Sequence, residues 1–75
     1  MNEKLFKTIL KRYEAAIEDA AYKIDIICEQ TLVIPEHIDI TGEIDKLLQI
    51  IAENEDKVAA MRKYYGEKKA ETAIL

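Results

Sequence analysis

Four carboxylates recur at helical spacing along the first half of the chain, at Glu14, Glu18, Asp25 and Glu29. Inward-facing carboxylates of this kind hold di-metal sites in helical bundles when a glutamate and a histidine also stand three residues apart. That spacing is absent, because the single histidine, His37, lies next to the proline of a predicted turn. We therefore interpret the four carboxylates as a solvated helix face and predict no metal site and no cofactor.

Nucleophilic chemistry has one candidate in this sequence, the single cysteine Cys28. A reactive thiolate needs a histidine or another basic side chain nearby, and none stands at helical spacing from this residue. We interpret Cys28 as a small core residue and predict that the protein is not an enzyme. One cysteine excludes an internal disulfide, and the absence of a signal-peptide pattern further favours a reducing, cytoplasmic location.

Basic side chains concentrate at the two ends of the sequence, where they could contact phosphate groups. Residues 1–12 and 62–75 carry eight basic and three acidic side chains, whereas residues 13–61 carry three basic and twelve acidic ones. The net charge of −4 and the lack of a nucleic-acid-binding motif count against DNA or RNA, whereas the local basic charge is expected to attract an acidic protein partner. If the chain folds back on itself, the two segments meet in a basic end that contains Lys4, Lys7, Lys11, Arg12, Arg62 and Lys63.

Two stripes of mostly apolar residues determine how these groups are positioned. Each stripe advances in alternating steps of four and three residues, the spacing that keeps one side of a helix against a partner helix. The numbers of residues that face each other in a fold-back add to a constant, and all eight pairs here add to 71. This predicted seam contains Phe6, Leu10, Tyr13, Ile17, Ala20, Ile24, Ile27 and Thr31, which face Tyr65, Met61, Val58, Asn54, Ile51, Leu47, Ile44 and Ile40 in that order.

The pattern predicts an all-α, antiparallel two-helix hairpin that forms a single domain over residues 1–75. Asn2 is the expected N-cap of the first helix and Thr41 that of the second. Gly66 is expected to end the second helix, with residues 67–75 as a frayed tail. The predicted boundaries are a helix over about 3–32, a turn over 33–40 and a helix over about 42–65.

The residues that flank the seam predict that the hairpin does not stand alone. In heptad letters the seam residues are a and d, with e positions on one side and g positions on the other. On the e side Lys7 faces Arg62 and Glu14 faces another glutamate, so like charges would meet there. The g side is more apolar, and a wide apolar face indicates that further helices cover it. The sequence therefore predicts a homodimeric, coiled-coil-like four-helix bundle. The predicted oligomer interface contains Ile9, Ala16, Ile50 and Tyr64.

One polar residue, Asn54, stands inside the predicted seam opposite Ile17. A single buried polar residue can determine the register and oligomeric state of packed helices. The alternative is a position at the edge of the bundle, with Asn54 bonded to water or to Tyr13.

Without catalytic motifs, the sequence predicts a self-associating protein that binds another protein, as an adaptor, an inhibitor or an assembly factor. The alternative function is a nucleic-acid-associated factor that uses the basic end. No membrane contact is expected, because the longest apolar stretch is shorter than the roughly 20 residues of a membrane-spanning helix.

Overall fold

Two helices make up the described chain: α1 covers Glu3–Glu29 and α2 covers Ile40–Tyr65. The computed structural model describes residues 1–29 and 39–66. The helices pack against each other as a hairpin, which confirms the predicted all-α architecture. At a rise of about 1.5 Å per residue, each helix is a rod of roughly 40 Å. The predicted extension of the first helix to residue 32, most of the predicted turn, and the tail at 67–75 lie outside the described residues.

An asparagine caps the start of α1, as the sequence predicts. The side-chain Oδ1 of Asn2 accepts a hydrogen bond from the backbone N–H of Leu5 at 2.8 Å. Its backbone carbonyl accepts a second hydrogen bond, from the N–H of Phe6 at 3.0 Å. Because the first N–H groups of a helix have no partner within the helix, the side-chain bond stabilises the first turn. Glu3 lies in that turn, where the helix dipole favours a carboxylate.

Asp39 caps the start of α2, so the predictions of Thr41 as N-cap and of a helix start near residue 42 are wrong. The Oδ1 atom of Asp39 accepts hydrogen bonds from the Gly42 N–H at 3.0 Å and from the Thr41 hydroxyl at 3.2 Å. Asp39 is favoured over Thr41 as the N-cap because Ile40 belongs to the seam. A helix that already includes Ile40 can pack this side chain against α1. A side chain at position 42 would occupy the space that the Asp39 carboxylate fills, which explains the glycine there.

Gly66 closes the C-terminal end of α2, as predicted. Its N–H donates a hydrogen bond to the Arg62 carbonyl at 3.1 Å, and its backbone is extended, with φ −73° and ψ −162°. Glycine is required here for space rather than for a left-handed conformation, because a Cβ atom would collide with the Arg62 carbonyl. Arg62 and Lys63 occupy the last turn, where cations interact favourably with the helix dipole.

The predicted seam is the covered side of both helices. Every described seam residue is buried or half-buried except Tyr65, which is 52% exposed. Tyr65 is the last residue of α2, and no further turn of that helix covers it. Within the described residues, the buried ones are Leu10, 9% exposed, and Ala20, 1% exposed, and no large side chain is fully buried. Two helices alone therefore leave most of the seam half open.

Candidate interaction surface

The g flank is the side of the seam on which the sequence predicts an oligomer interface. Ile9 and Ala16 of this flank are half-buried. Ile50 is 41% exposed and Tyr64 is 58% exposed. The hairpin therefore presents apolar side chains on this flank that neither helix covers. The described residues of the g flank are Ile9, Ala16, Lys23, Glu43, Ile50, Lys57 and Tyr64.

Leu5 extends the apolar surface of the g flank towards the beginning of α1. Its side chain is 48% exposed. It stands four residues before Ile9, so the two side chains are neighbours on the same side of the helix. Leu5 was not among the residues predicted for the interface. The signal that could have identified it was this spacing of four residues from Ile9.

The two lysines of the g flank both contact other side chains of the hairpin. The Nζ atom of Lys23 lies 3.0 Å from Oδ2 of Asp19, one turn earlier on α1. The Nζ atom of Lys57 lies 5.5 Å from the centre of the Tyr13 ring, a cation–π contact between the helices. This contact lies within one residue of the predicted register, because the residue numbers 13 and 57 add to 70 and facing residues are predicted to add to 71. Both lysine charges thus have partners within the hairpin, and the exposed apolar groups lie beside them.

The opposite side of the seam, the e flank, contains ion pairs that the sequence analysis did not predict. The Nη2 atom of Arg62 lies 3.9 Å from Oε2 of Glu14 on the other helix. The Nζ atom of Lys7 lies 3.2 Å from Oε1 of Glu3. Lys7 and Arg62, predicted to face each other as like charges, thus each have a carboxylate partner that offsets their repulsion. All four side chains are more than half exposed, so these pairs add little stability.

The six residues of the predicted basic end lie at the start of α1 and at the end of α2, and all six are exposed. Besides the ion pairs of Lys7 and Arg62, the Nζ atom of Lys63 lies 5.3 Å from the centre of the Tyr64 ring. The other three, Lys4, Lys11 and Arg12, form no ion pair with a described residue. These three charges remain available to a partner.

Asn54 is half-buried, and its amide is directed towards its own helix. Its Nδ2 atom donates a hydrogen bond to the carbonyl of Ile50 at 2.7 Å. In an α-helix the same carbonyl also accepts the backbone N–H four residues later, which here is that of Asn54. Tyr13, the alternative partner considered from the sequence, has the Lys57 ammonium over its ring instead. The proposed role of Asn54 in oligomer register stays a prediction.

The side chains considered for catalysis or metal binding do not come together in a site within the described residues. Within residues 1–29 and 39–66, no three His, Cys, Asp or Glu side chains are placed to hold a metal ion. Cys28, expected as a core residue, is exposed because it lies beside the seam near the end of α1. His37 lies outside the described residues. An open surface depression on α1 is lined by Lys11, Glu14, Ala15, Ile17 and Glu18.

Comparison with protein-family models, with curated proteins and with solved structures finds no match for this chain. Neither α1 nor α2 contains a segment apolar enough to cross a lipid bilayer. The surface of the hairpin is therefore the basis for a functional proposal, and its main feature is the uncovered apolar side of the seam.

Proposed function

We propose that this protein is a non-catalytic, self-associating helical protein that acts through protein–protein interaction, with the g flank as its contact surface. The observation that carries the proposal is the contrast between exposed and buried apolar side chains. Seven large apolar side chains of the described chain are 41–65% exposed, whereas Leu10 and Ala20 alone are buried there. Short helices gain most of their stability from packing, so this hairpin needs a further packing surface.

The g flank is a better contact surface than the e flank because covering it removes fewer charges from water. The e flank carries the Arg62–Glu14 and Lys7–Glu3 ion pairs, whose four charged groups are all solvated in the hairpin. Burying such pairs costs desolvation energy that their mutual attraction often does not recover. The g flank has three charged residues, Lys23, Glu43 and Lys57, against four on the e flank. Its two lysines have methylene stems that can lie along the exposed apolar groups.

A second copy of the chain is the partner that we propose first, in a homodimeric four-helix bundle. Two hairpins that share their g flanks would cover Ile50 and Tyr64 and enclose the half-open seam. The dimer would then present its basic end to an acidic protein partner. The role that we propose is that of a cytoplasmic adaptor, inhibitor or assembly factor.

The experiment that tests the proposal compares two glutamate substitutions on the two sides of α2. Ile50→Glu places a charge on the g flank, and Leu48→Glu places the same charge on the e flank, where leucine is 51% exposed. Sedimentation equilibrium at micromolar concentration should show a wild-type dimer. Ile50→Glu should raise its dissociation constant at least about tenfold, because an unpaired buried carboxylate costs more than about 1.4 kcal/mol.

The Leu48→Glu variant should remain dimeric, with a circular dichroism spectrum like that of the wild type. If Leu48→Glu dissociates the dimer and Ile50→Glu does not, the e flank is the interface and the proposed contact surface is wrong. A wild-type protein that is monomeric at micromolar concentration would contradict self-association altogether.

The alternative function, nucleic-acid binding, is less well supported by the basic end. Two of its six cations, Lys7 and Arg62, already contact carboxylates of the hairpin. A salt-sensitive gel shift of DNA or RNA by the wild-type protein, lost in a Lys4→Glu, Lys11→Glu variant, would replace our proposal with this alternative.

A further inference from the structure

The side of α1 that faces away from α2 carries opposite charges on its two halves. This outward face contains the heptad positions b, c and f, which lie opposite the seam. Up to position 15 of α1 it has three cations and no carboxylate, and from position 18 onwards it has four carboxylates and no cation. All of its residues are exposed except Ile26, which is half-buried. The outward face contains Lys4, Leu5, Thr8, Lys11, Arg12, Ala15, Glu18, Asp19, Tyr22, Asp25, Ile26 and Glu29.

Most charges of the outward face have no ion partner within the hairpin. Its three cations form no ion pair with a described residue, and neither do Glu18, Asp25 and Glu29. Asp19 differs, because its Oδ2 atom lies 3.0 Å from Nζ of Lys23. The outward face therefore presents charges of both signs, on separate halves, to whatever docks there.

We propose that two copies of the chain dock through their outward faces, with α1 against α1 in antiparallel orientation. A two-fold axis perpendicular to α1 near Ala15 brings the basic half of each copy against the acidic half of the other. Such an axis sets like helix positions together, so that b positions meet b positions and c positions meet c positions. The numbers of facing residues then add to about 30. This contact is separate from the g flank and does not depend on it.

Every cation of the outward face then meets a carboxylate of the second copy. The facing pairs are Lys4 with Asp25, Lys11 with Glu18, and Arg12 with Asp19, whose numbers add to 29, 29 and 31. The two apolar residues at c positions meet in the same way, since 5 and 26 add to 31. The charges that complement each other thus belong to the docking face itself.

The residues near the axis fit a close approach of the two helices. Ala15 of each copy lies on the axis, in an open depression that Lys11 and Glu18 also line. Because the side chains at a helix contact determine the distance between the helix axes, alanine permits close packing there. Tyr22, which is 65% exposed in the hairpin, faces Thr8 of the second copy and becomes covered.

Like charges disfavour the other ways of pairing the same faces. A shift by one heptad sets Lys11 opposite Lys11, or Glu18 opposite Glu18, of the second copy. A parallel arrangement places the two basic halves together and the two acidic halves together. Repulsion in these alternatives makes the antiparallel register near Ala15 specific.

The outward-face contact should be weaker than the g-flank contact and sensitive to salt, because exposed ion pairs contribute little and are screened. It also occupies Lys4, Lys11 and Arg12 of the basic end. An acidic partner protein would therefore compete with a second copy of the chain for these three cations.

Sedimentation velocity at low and high salt, about 20 mM and about 500 mM, tests the contact. The wild-type protein should form larger species at low salt than at high salt. Lys11→Glu should weaken this association about fivefold, because each contact contains the Lys11–Glu18 pair twice. The matched control is Lys63→Glu, which makes the same charge change on the outward side of α2 and should leave the association unchanged.

Mixing two charge variants tests the register. Glu18→Lys should lose the association as Lys11→Glu does, and an equal mixture of the two chains should regain it, because position 11 of one chain then faces the opposite charge at position 18 of the other. Loss in Lys11→Glu but not in Glu18→Lys would assign the cations to a different acidic surface and overturn the proposal.

Disulfide crosslinking in a Cys28→Ser background tests the orientation. A chain with Thr8→Cys should crosslink to a chain with Tyr22→Cys, because the two positions face each other. Thr8→Cys alone should not crosslink, since its two thiols would lie about 21 Å apart along the helix axis. The reverse result would overturn the antiparallel arrangement.

The outcomes separate this inference from the proposed g-flank dimer. Identical species at both salt concentrations, or no recovery on mixing, would overturn the outward-face contact and leave the g-flank dimer intact. A wild-type chain that is monomeric at high salt and pairs only at low salt would support the outward-face contact and contradict the g-flank dimer.

Discussion

Replacing Asn54 with leucine should stabilise the protein, and the structure indicates why. The side chain is half-buried at a seam position, and its Nδ2 atom bonds to the Ile50 carbonyl. In an α-helix that carbonyl keeps its backbone N–H partner when the side chain is removed, so Asn54→Leu leaves no buried polar group without a hydrogen bond. The substitution therefore adds apolar surface to the seam at little polar cost.

The size of the effect follows from two contributions. Leucine exceeds asparagine in helix propensity by a few tenths of a kcal/mol. Half-burying a leucine side chain contributes about 1 kcal/mol, half of the value for full burial. We expect a gain of about 1 kcal/mol in the free energy of unfolding, which raises the melting temperature of a chain this short by about 4–8 °C.

Thermal and urea unfolding followed by circular dichroism measure this change, with Asn54→Ala as the control. Alanine improves the helix propensity without adding the leucine surface, so its gain should be smaller. Sedimentation of both variants shows whether mixed oligomers form, the result expected if Asn54 determines the register. A loss of more than about 1 kcal/mol in Asn54→Leu would refute the reasoning, because the amide would then need a partner outside its own helix.

Two further substitutions test the packing and the capping. Ala20→Leu should destabilise the hairpin by about 1–3 kcal/mol, because a side chain that is 1% exposed has no room for a larger one; Ala15→Leu, at an exposed position of α1, should change stability by less than about 0.5 kcal/mol. Equal melting temperatures for the two variants would mean that the helices do not meet at Ala20. Asp39→Ala should cost about 1 kcal/mol by removing the acceptor for the Gly42 N–H, whereas Asp39→Asn, which retains an acceptor, should cost much less. Similar melting curves for both Asp39 variants would contradict the cap.

The covered side of each helix could be predicted from the sequence because apolar spacing and helix geometry determine each other. Steps of four and three residues place Phe6, Leu10 and Tyr13 on one side of α1 whatever their partner is. The start of α2 could have been predicted from the same pattern, although the predicted start near residue 42 was wrong. Ile40 was already assigned to the seam, and a residue must be helical to take that place, so the cap had to be Asp39 rather than Thr41.

Side-chain partners and the degree of burial could not be predicted in the same way. Register places Cα positions side by side, but it does not determine that the long side chain of Arg62 forms an ion pair with Glu14. Burial depends on every surface that covers a residue, and a seam pattern describes only one of them. Cys28 lies next to the seam and was therefore expected in the core. In the hairpin no other surface covers it, and it is exposed.

The half-open seam makes the stability of this protein depend on its concentration under the proposed assembly. In a chain with an enclosed core, folding does not depend on concentration. Where a second chain must supply the cover, each tenfold dilution removes about 1.4 kcal/mol of apparent stability per dimer. Under the proposed assembly, unpaired chains would remain open to proteases. The folded fraction would then depend on the amount of protein. The hairpin would accumulate only where its concentration exceeds the dissociation constant of the dimer.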